Sequence, residues 1–212
     1  MSWGGGLPPH DMVATVSNGY GSMLSVVIAT HESERALVPT LAALVPGAAA
    51  GLLGDVVVAD AGSRDATAEV ADVAGCRFIS STEPIGAQLK AAAASTRGPW
   101  LMFLRAGAVP QAGWIEAVER FMAASDISAS RAAVFRPAGI SDLTRPGLSE
   151  ILALLRVTFG GRPRPEQGLL IARRFYDALG GHPDGDQAET ALLRRLGRRR
   201  IGMLSAGARY AR

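Results

Sequence analysis

Residues 55–67, DVVVADAGSRDAT, contain a strand, a turn and the start of a helix. The apolar run that ends at Ala59 is typical of a central parallel strand covered on both faces. "AGSRD" then turns the chain, and Asp65 is a candidate N-cap for a helix over 66–74. The same order of strand, turn and helix recurs on both sides of this stretch, which predicts an α/β fold with a doubly wound, mostly parallel sheet.

The flanking segments continue this alternation. Upstream, "LSVVIA" (24–29) predicts another buried strand. A helical spacing of apolar residues follows it, at Leu37, Leu41, Leu44 and Val45. Residues 36–54 are uncharged and long enough to suggest a transmembrane span, but two prolines and three glycines interrupt the stretch, at 39, 46, 47, 51 and 54, which favours a soluble helix followed by a loop. Pro110 is expected to end regular structure after the strand over 100–104. The other predicted strands cover 77–80, 132–135 and 201–204, and the other predicted helices cover 86–96, 114–122, 148–157 and 188–196. The stretch 168–181 is predicted to begin as a strand and to continue as a helix.

Composition narrows the class of protein. At 212 residues and 48% hydrophobic content, about 70% of the unfolded surface can be buried, enough for one domain. Residues 1–22 are rich in glycine and lack a signal-peptide pattern, so we expect a flexible extension before a single domain over 23–212, with its two halves meeting near residue 124. The one cysteine, Cys76, fits a cytoplasmic location. The small excess of 22 basic over 19 acidic residues argues against nucleic-acid binding.

Asp60 is the first candidate for a binding residue. It ends a strand at the carboxyl edge of the sheet, where α/β folds bind ligands, and its carboxylate can accept from a nucleobase N–H or a ribose hydroxyl. The alternative is an Asx turn that stabilises "AGSRD". Neither G-x-G-x-x-G after an early strand nor G-x-x-x-x-G-K-[ST] occurs, which excludes the common phosphate loops.

An ordered set of motifs resembles the family 2 glycosyltransferases. "LSVVIATHESER", "DVVVADAGSRDAT" and "FLRAGAVP" are similar to that family's strand ending P-T-Y-N-E, its V-V-D-x-G-S-x-D-x-T and its F-L-D-A-D near x-L-P. "GGHPDGDQAETALLRRLGRR" resembles the acceptor half, so the likeness spans about residues 24 to 205. The short form resembles a bacterial subgroup found beside radical SAM proteins. The resemblance implies a GT-A fold, Rossmann-like with helices on both faces, and inverting sugar transfer from a nucleoside diphosphate donor.

The resemblance also implies a nucleotide site. Its residues would be Thr30, His31, Glu32, Asp60, Gly62, Ser63 and Gly86. Among them, Asp60 would accept from the nucleobase, with Gly62 and Ser63 shaping the turn beneath it. His31 stands where the pattern usually has an aromatic residue; an imidazole can still stack, and the alternative is an exposed loop histidine.

The metal motif of the family is altered in this chain. Arg105 and Gly107 stand where the pattern has the two carboxylates of Asp-x-Asp, and neither supplies the oxygen ligand that a hard cation needs. No metal site is therefore predicted on this strand, and no cofactor beyond the nucleotide-sugar donor. Arg105 with Lys90 is predicted to bind the diphosphate directly, because a guanidinium matches phosphate geometry. The alternative is a decayed site with Arg105 in water.

The catalytic base is also altered. Glu189 matches the glutamate of the family's Glu-Asp pair, whereas Thr190 stands for the aspartate. Glu189 or Asp186 is the predicted base, since a carboxylate in a closed cleft can deprotonate an acceptor hydroxyl. Glu189 could instead serve only as a first-turn helix acid.

These residues predict a nucleotide-sugar glycosyltransferase that acts without the usual metal on an unknown acceptor. The alternative is a catalytically silent GT-A domain that binds a nucleotide or a partner protein. A sugar-phosphate nucleotidyltransferase is disfavoured, because "ATHESER" is not a glycine-rich basic loop. Residues 194–212 hold seven arginines and no acid, which predicts either a peripheral contact with the inner membrane face and a lipid-linked acceptor, or a solvated helix face.

Overall fold

The computed structural model describes residues 24–125, 130–137 and 163–211. In these residues eight strands form one sheet: Leu24–Thr30 (β1), Leu53–Asp60 (β2), Arg77–Ser80 (β3), Trp100–Arg105 (β4), Ala108–Pro110 (β5), Ala132–Pro137 (β6), Leu169–Ala172 (β7) and Ile201–Tyr210 (β8). The helices are Glu34–Ala49 (α1), Thr67–Val73 (α2), Ile85–Ser95 (α3), Trp114–Ala124 (α4), Arg173–Ala178 (α5) and Ala188–Leu196 (α6). Short 3₁₀ turns cover Pro165–Gln167 and Arg198–Arg200.

The sheet has the strand order β3-β2-β1-β4-β7-β6-β8-β5. Strands β1 to β4 are parallel to one another, whereas β7 runs antiparallel to β4 and to β6. Right-handed crossovers place α1 and α2 on one face of the sheet and α3 on the other, because the strand order reverses between β3 and β4. The predicted α/β class with a mostly parallel sheet is confirmed.

Register brings the ends of the parallel strands together. Thr30 pairs with Asp60, Asp60 pairs with Ser80, and Ala29 pairs with Arg105. Strand β1 is buried along its length except at Ala29, as its continuous apolar sequence predicts. The polar residues that end these strands therefore form one row at the carboxyl edge of the sheet.

Helix α1 contains two prolines and differs from its prediction at one apolar residue. It continues through Pro39 and Pro46, because the carbonyls that lose a donor belong to Arg35 and Ala42, on the exposed side of the helix, where water can bond to them. Val45 is 62% exposed and is not part of the core. It follows the buried Leu44 by a rotation of about 100°, which turns its side chain toward solvent.

The segment after β4 was also wrongly predicted. Pro110 does not end regular structure; it is the last residue of β5, which pairs antiparallel with β8 at the edge of the sheet. An edge strand tolerates proline because one side of its backbone needs no partner. The strand predicted over 201–204 continues to Tyr210, because its second half pairs with β5.

Some predicted features lie outside the described residues, namely the extension over 1–22 and the helix over 148–157. The prediction of Asp65 as the N-cap was wrong, because α2 begins at Thr67 and its N-cap is Ala66; the Asp65 carboxylate nevertheless accepts from the backbone N–H of Thr67. Within the part of the chain that the structure describes, no helix is both long and apolar enough to cross a bilayer.

Candidate functional site

Asp60 is the centre of a hydrogen-bonded turn at the end of β2. Its carboxylate accepts from the Thr30 hydroxyl (2.9 Å), the Ser63 hydroxyl and the Ser80 hydroxyl (3.2 Å), and from the backbone N–H groups of Gly62 (2.9 Å) and Ser63 (2.8 Å). Burial acts to raise the Asp60 pKa, but hydrogen bonds from Ser63, Thr30 and Gly62 outweigh it and lower the pKa below its ordinary value. Asp60 is therefore an ionised carboxylate, fully buried and fully used by its own chain.

The loop after β1 is joined to this turn through Glu32. The backbone N–H of Glu32 donates to the Ser63 hydroxyl (2.7 Å), and the backbone N–H of Arg64 donates to the Glu32 carboxylate (3.0 Å). Glu32 has a φ of 48°, which is rare for a residue with a side chain and is held here by these two bonds. The two loops at the start of the predicted nucleotide site thus constrain each other.

A second set of bonds repeats this joining one turn further along. The backbone N–H of Glu34 donates to Asp65 (3.0 Å), and the backbone N–H of Ala66 donates to Glu34 (3.1 Å). Hydrogen bonds from Thr67 and from Glu34 lower the pKa of Asp65. The carboxylates of both loops therefore accept main-chain donors from the opposite loop, which makes the pair of loops one rigid unit.

The structure groups most of the predicted nucleotide residues in this unit. Thr30, Gly62 and Ser63 surround Asp60, and Glu32 is bonded to Ser63. His31 is exposed beside them and donates only through its backbone, to the Ser33 hydroxyl. An exposed imidazole at this edge is free to stack on a base.

Gly86 lies apart from that group, at the start of α3. A Cβ at this position would lie 2.0 Å from the Pro183 carbonyl oxygen and 2.8 Å from the Ala188 Cβ. Helix α3 packs so closely against the segment that leads into α6 that this packing alone requires a glycine at residue 86, without any contact to a nucleotide. Lys90 is exposed one turn later, and its ammonium makes no ion pair with another described residue. The role of Lys90 in a shared clamp with Arg105 stays a prediction.

Arg105 and Glu189 are brought together although they lie 84 residues apart. The Arg105 Nε lies 2.8 Å from Glu189 Oε2 and 3.1 Å from Oε1, and Nη2 also donates to Oε2. Glu166 approaches the same guanidinium at 3.8 Å. Hydrogen bonding to Glu189 raises the pKa of Arg105, so the cation is fixed between two carboxylates. The two residues predicted for diphosphate binding and for base catalysis thus form one ion pair.

Gly107 closes the turn after β4 against the end of the described chain. Its φ is 92°, its N–H donates to the Ala36 carbonyl and the Thr40 hydroxyl, and its carbonyl accepts from the Ala211 N–H at 2.8 Å. A Cβ at this position would lie 2.3 Å from the Ala211 carbonyl oxygen. No carboxylate side chain fits at residue 107 unless the segment around Ala211 moves.

A buried aromatic group beside Arg105 was not predicted from the sequence. The His182 ring lies edge-on to Phe103, with centroids 4.7 Å apart, and its Nδ1 lies 2.8 Å from the Tyr176 hydroxyl. Burial lowers the pKa of His182 to about 4 and raises that of Tyr176 to about 12, so both groups are neutral at pH 7. The signal in the sequence was the histidine that follows two glycines in "GGHP".

Next to this group is a shallow pocket that is open to solvent and has room for about one water-sized group. Phe103, Leu169 and Leu193 form its apolar walls, and His182 and Glu189 are its polar side chains. Since Glu189 also contacts Arg105, the pocket and the guanidinium belong to one continuous rim.

A parallel sheet with this turn at its carboxyl edge, continued by an antiparallel half, is typical of GT-A glycosyltransferases. The chain belongs to glycosyl transferase family 2, whose model matches residues 25–171. No curated protein matches it. The resemblance inferred from the motifs is confirmed, and together with the fold it supports a nucleotide-sugar glycosyltransferase.

Similar solved structures come from glucosyl-3-phosphoglycerate synthase of Mycobacterium tuberculosis. The complex with Mn²⁺, uridine diphosphate and glucosyl-3-phosphoglycerate has a TM-score of 0.65 and 22% identity over 91% of this chain and 73% of that one. The complex with Mg²⁺ and uridine diphosphate has a TM-score of 0.65 and 21% identity over 91% and 72%. The complex with Mn²⁺ and uridine-diphosphate-glucose has a TM-score of 0.64 and 22% identity over 91% and 72%. At this identity the likeness establishes the fold.

Those complexes contain a divalent metal, but the rim of this chain does not fit one. Arg105 is a cation, Gly107 has no side chain, and the carboxylates nearest to them bond to Arg105. No group of three or more His, Cys, Asp or Glu side chains among residues 24–125, 130–137 and 163–211 could hold a metal ion. The mechanism proposed below therefore contains no metal-dependent step.

Proposed function

We propose that this chain transfers a sugar from a nucleoside diphosphate donor to a hydroxyl acceptor, with inversion at the anomeric carbon. The observation that carries the proposal is the ion pair of Arg105 with Glu189. A carboxylate on the side of a guanidinium occupies the positions that phosphate oxygens would take, so the Arg105 site already has the geometry of an oxyanion site.

Donor binding has to separate this pair. In an inverting reaction the base lies across the sugar from the leaving diphosphate, and Glu189 cannot remain on Arg105 while the diphosphate binds there. We infer that the diphosphate replaces Glu189 on Arg105, which frees Glu189 for the acceptor. The acceptor oxygen then bonds to the anomeric carbon, and the bond from that carbon to the phosphate oxygen breaks with its electron pair on the diphosphate. The acceptor proton passes to Glu189.

The nucleoside is proposed to bind at the joined loops, with its base stacked on His31. Asp60 could accept a hydrogen bond from the base only if one of its present donors let go, because all the lone pairs of its carboxylate are used. The Ser80 bond, at 3.2 Å the longest of the five, is the one most readily replaced. Thr30, Gly62 and Ser63 then act by holding the Asp60 turn in shape.

The test is release of nucleoside diphosphate from sugars of UDP, GDP, CDP and dTDP, with and without a chelator. We expect turnover with one base that is insensitive to the chelator and falls about 10²–10³-fold in Arg105→Gln. Arg105→Lys is the matched control, since it keeps the charge and loses the planar fork of donors. Chelator-sensitive turnover that is unchanged in Arg105→Gln would contradict the proposal. Binding without turnover across all donors would favour the silent domain.

Glu189→Gln separates binding from chemistry. We expect donor affinity to rise by at least about threefold, because a competing carboxylate is removed from Arg105. Transfer should fall about 10²–10⁴-fold, because the base is lost. Glu166→Gln is the control, since Glu166 contacts Arg105 only at 3.8 Å and takes no part in proton transfer. Equal effects of the two substitutions would contradict the role of Glu189.

The acceptor and the cellular location of the protein are proposed from the arginine-rich tail alone. The arginine-rich tail is proposed to lie near a lipid-linked acceptor at the inner membrane face of a bacterial cell, and the opposing interpretation is a solvated face. Several of these arginines make contacts within the chain; for example, Arg195 donates to the Leu179 carbonyl and Arg200 stacks over Phe175 at 5.9 Å. Flotation with anionic vesicles distinguishes the two interpretations.

A further inference from the structure

The pocket beside Arg105 contains a hydrogen-bonding group that the proposed reaction has not used. His182 is 1% exposed and lines this pocket, while its Nδ1 faces the Tyr176 hydroxyl. Its other ring nitrogen, Nε2, has no hydrogen-bonding partner among the described residues. A buried imidazole with one nitrogen fixed and the other at a pocket is a candidate for ligand recognition.

The backbone before His182 positions the ring. Gly180 and Gly181 both have positive φ, at 79° and 72°. A Cβ at Gly181 would lie 3.2 Å from two ring carbons and from the hydroxyl oxygen of Tyr176, so a side chain there would press on that residue. Two successive glycines thus turn the chain tightly enough to place His182 on both Tyr176 and Phe103.

The hydrogen bonds of Tyr176 assign the tautomer of His182. The backbone N–H of His182 donates to the Tyr176 oxygen at 3.2 Å, which uses one of its lone pairs. The phenolic proton has no other acceptor among the described residues and therefore goes to Nδ1. The imidazole proton is then on Nε2. With its low pKa the ring is neutral at pH 7, so it presents an uncharged N–H donor to the pocket.

The pocket has the chemistry of a sugar subsite. Its walls from Phe103, Leu169 and Leu193 suit the apolar face of a ring, and it presents one neutral donor and one carboxylate acceptor. The pocket has room for about one water-sized group, so it suits a single hydroxyl of a sugar that lies over it. A sugar joined to a phosphate on Arg105 would reach it, because Glu189 links the two.

We propose that the transferred sugar lies over this pocket and that one of its hydroxyls enters it and accepts from the Nε2–H of His182. Tyr176 is a positioning residue that fixes the ring and its tautomer. This assignment rests on the proposed function and adds a determinant of donor specificity to it. A sugar without a hydroxyl at the contacted position would leave a buried donor unpaired and bind less well.

The experiment compares affinity for a nucleotide-sugar with affinity for the matching diphosphate, for example UDP-glucose against UDP, in wild type and variants. His182→Phe keeps an aromatic ring on Phe103 and removes the donor. We expect it to weaken nucleotide-sugar binding by about three- to tenfold and to leave diphosphate binding within about twofold. His182→Gln can still present an N–H and should recover part of the loss, and Tyr176→Phe should give a smaller loss of the same kind.

The possible failures are distinguishable. If His182→Phe weakens both ligands equally, or neither, while Arg105→Gln weakens both, the subsite is wrong and the proposed function stands. If no diphosphate or nucleotide-sugar from the four bases binds to the wild type, both proposals are overturned. Circular dichroism of each variant checks that it is folded, and His182→Gln provides the same comparison if His182→Phe does not fold.

Discussion

The stability of the protein should fall as the pH is lowered, because of the buried His182. Its pKa is about 4 in the folded protein, against 6.5 for an ordinary histidine. Between these values the unfolded chain binds a proton that the folded chain does not, so the free energy of unfolding rises with pH across this interval. The stabilisation is complete above pH 6.5 and is lost as the pH falls toward 4.

The size of the effect follows from these two pKa values. Going from pH 7 to pH 5, linkage gives a loss of about 2 kcal/mol, a large share of a typical total of about 5–15 kcal/mol. The groups around the His182 ring do not offset this loss of stability. Tyr176 stays neutral, Phe103 is apolar, and the Glu189 carboxylate in the same pocket is bound to Arg105. The pKa of Asp60 is below its ordinary value, so its protonation affects stability only at lower pH.

The assay is urea unfolding at pH 7, 6 and 5 for wild type, His182→Phe and His31→Asn. His182→Phe leaves the Tyr176 hydroxyl without its partner, so the change with pH within each protein is the quantity to compare. We expect a loss of about 2 kcal/mol for wild type and for His31→Asn, and less than half of that for His182→Phe. An equal loss in all three proteins would refute the reasoning.

Three further substitutions test the framework of the site, each by denaturant unfolding. Gly107→Ala should lower the free energy of unfolding by about 2 kcal/mol or more, because strain at positive φ adds to a clash with a backbone carbonyl. Gly51→Ala is the control: its φ is 74° but the space around it is open, so it should show only the strain, about 1–2 kcal/mol. Equal losses in the two variants would contradict this reasoning. Ser63→Ala should cost about 1–3 kcal/mol, because the hydroxyl loses the bond from Glu32 that joins the two loops and its own bond to Asp60 within the turn; an unchanged midpoint would contradict this role. Arg173→Met should cost a similar amount, because the guanidinium donates to three acceptors where α3 ends, and a loss below about 0.5 kcal/mol would contradict that role.

The sequence was sufficient for the parallel half of the fold. Strands β1, β2 and β4 are continuous apolar runs bounded by turn residues, and buried parallel strands need that composition. The errors in the predicted secondary structure and core came where the outcome depends on the position of a segment relative to the sheet. Pro110 is tolerated only because β5 lies at an edge, and Val45 could be placed only by seeing which side of α1 faces the sheet.

The candidate site was predicted only in part, because its pairings are long-range. Arg105 and Glu189 were both identified from motif positions, but neither their contact nor the presence of Glu166 follows from local pattern. His182 was missed because its significance depends on the fold, which places it against Tyr176 and the pocket. A histidine in a glycine-rich turn has no distinctive pattern until its neighbours are known.

The bond between Ala211 and Gly107 has a practical consequence for anyone who purifies this protein. It places the carboxyl end of the described chain directly at the rim, next to the turn after β4. An affinity tag fused closely behind Ala211 would begin near the proposed donor site, and a polyhistidine tag there would also introduce metal ligands beside it. Chelator experiments are therefore best run on protein tagged at the amino end or with the tag removed.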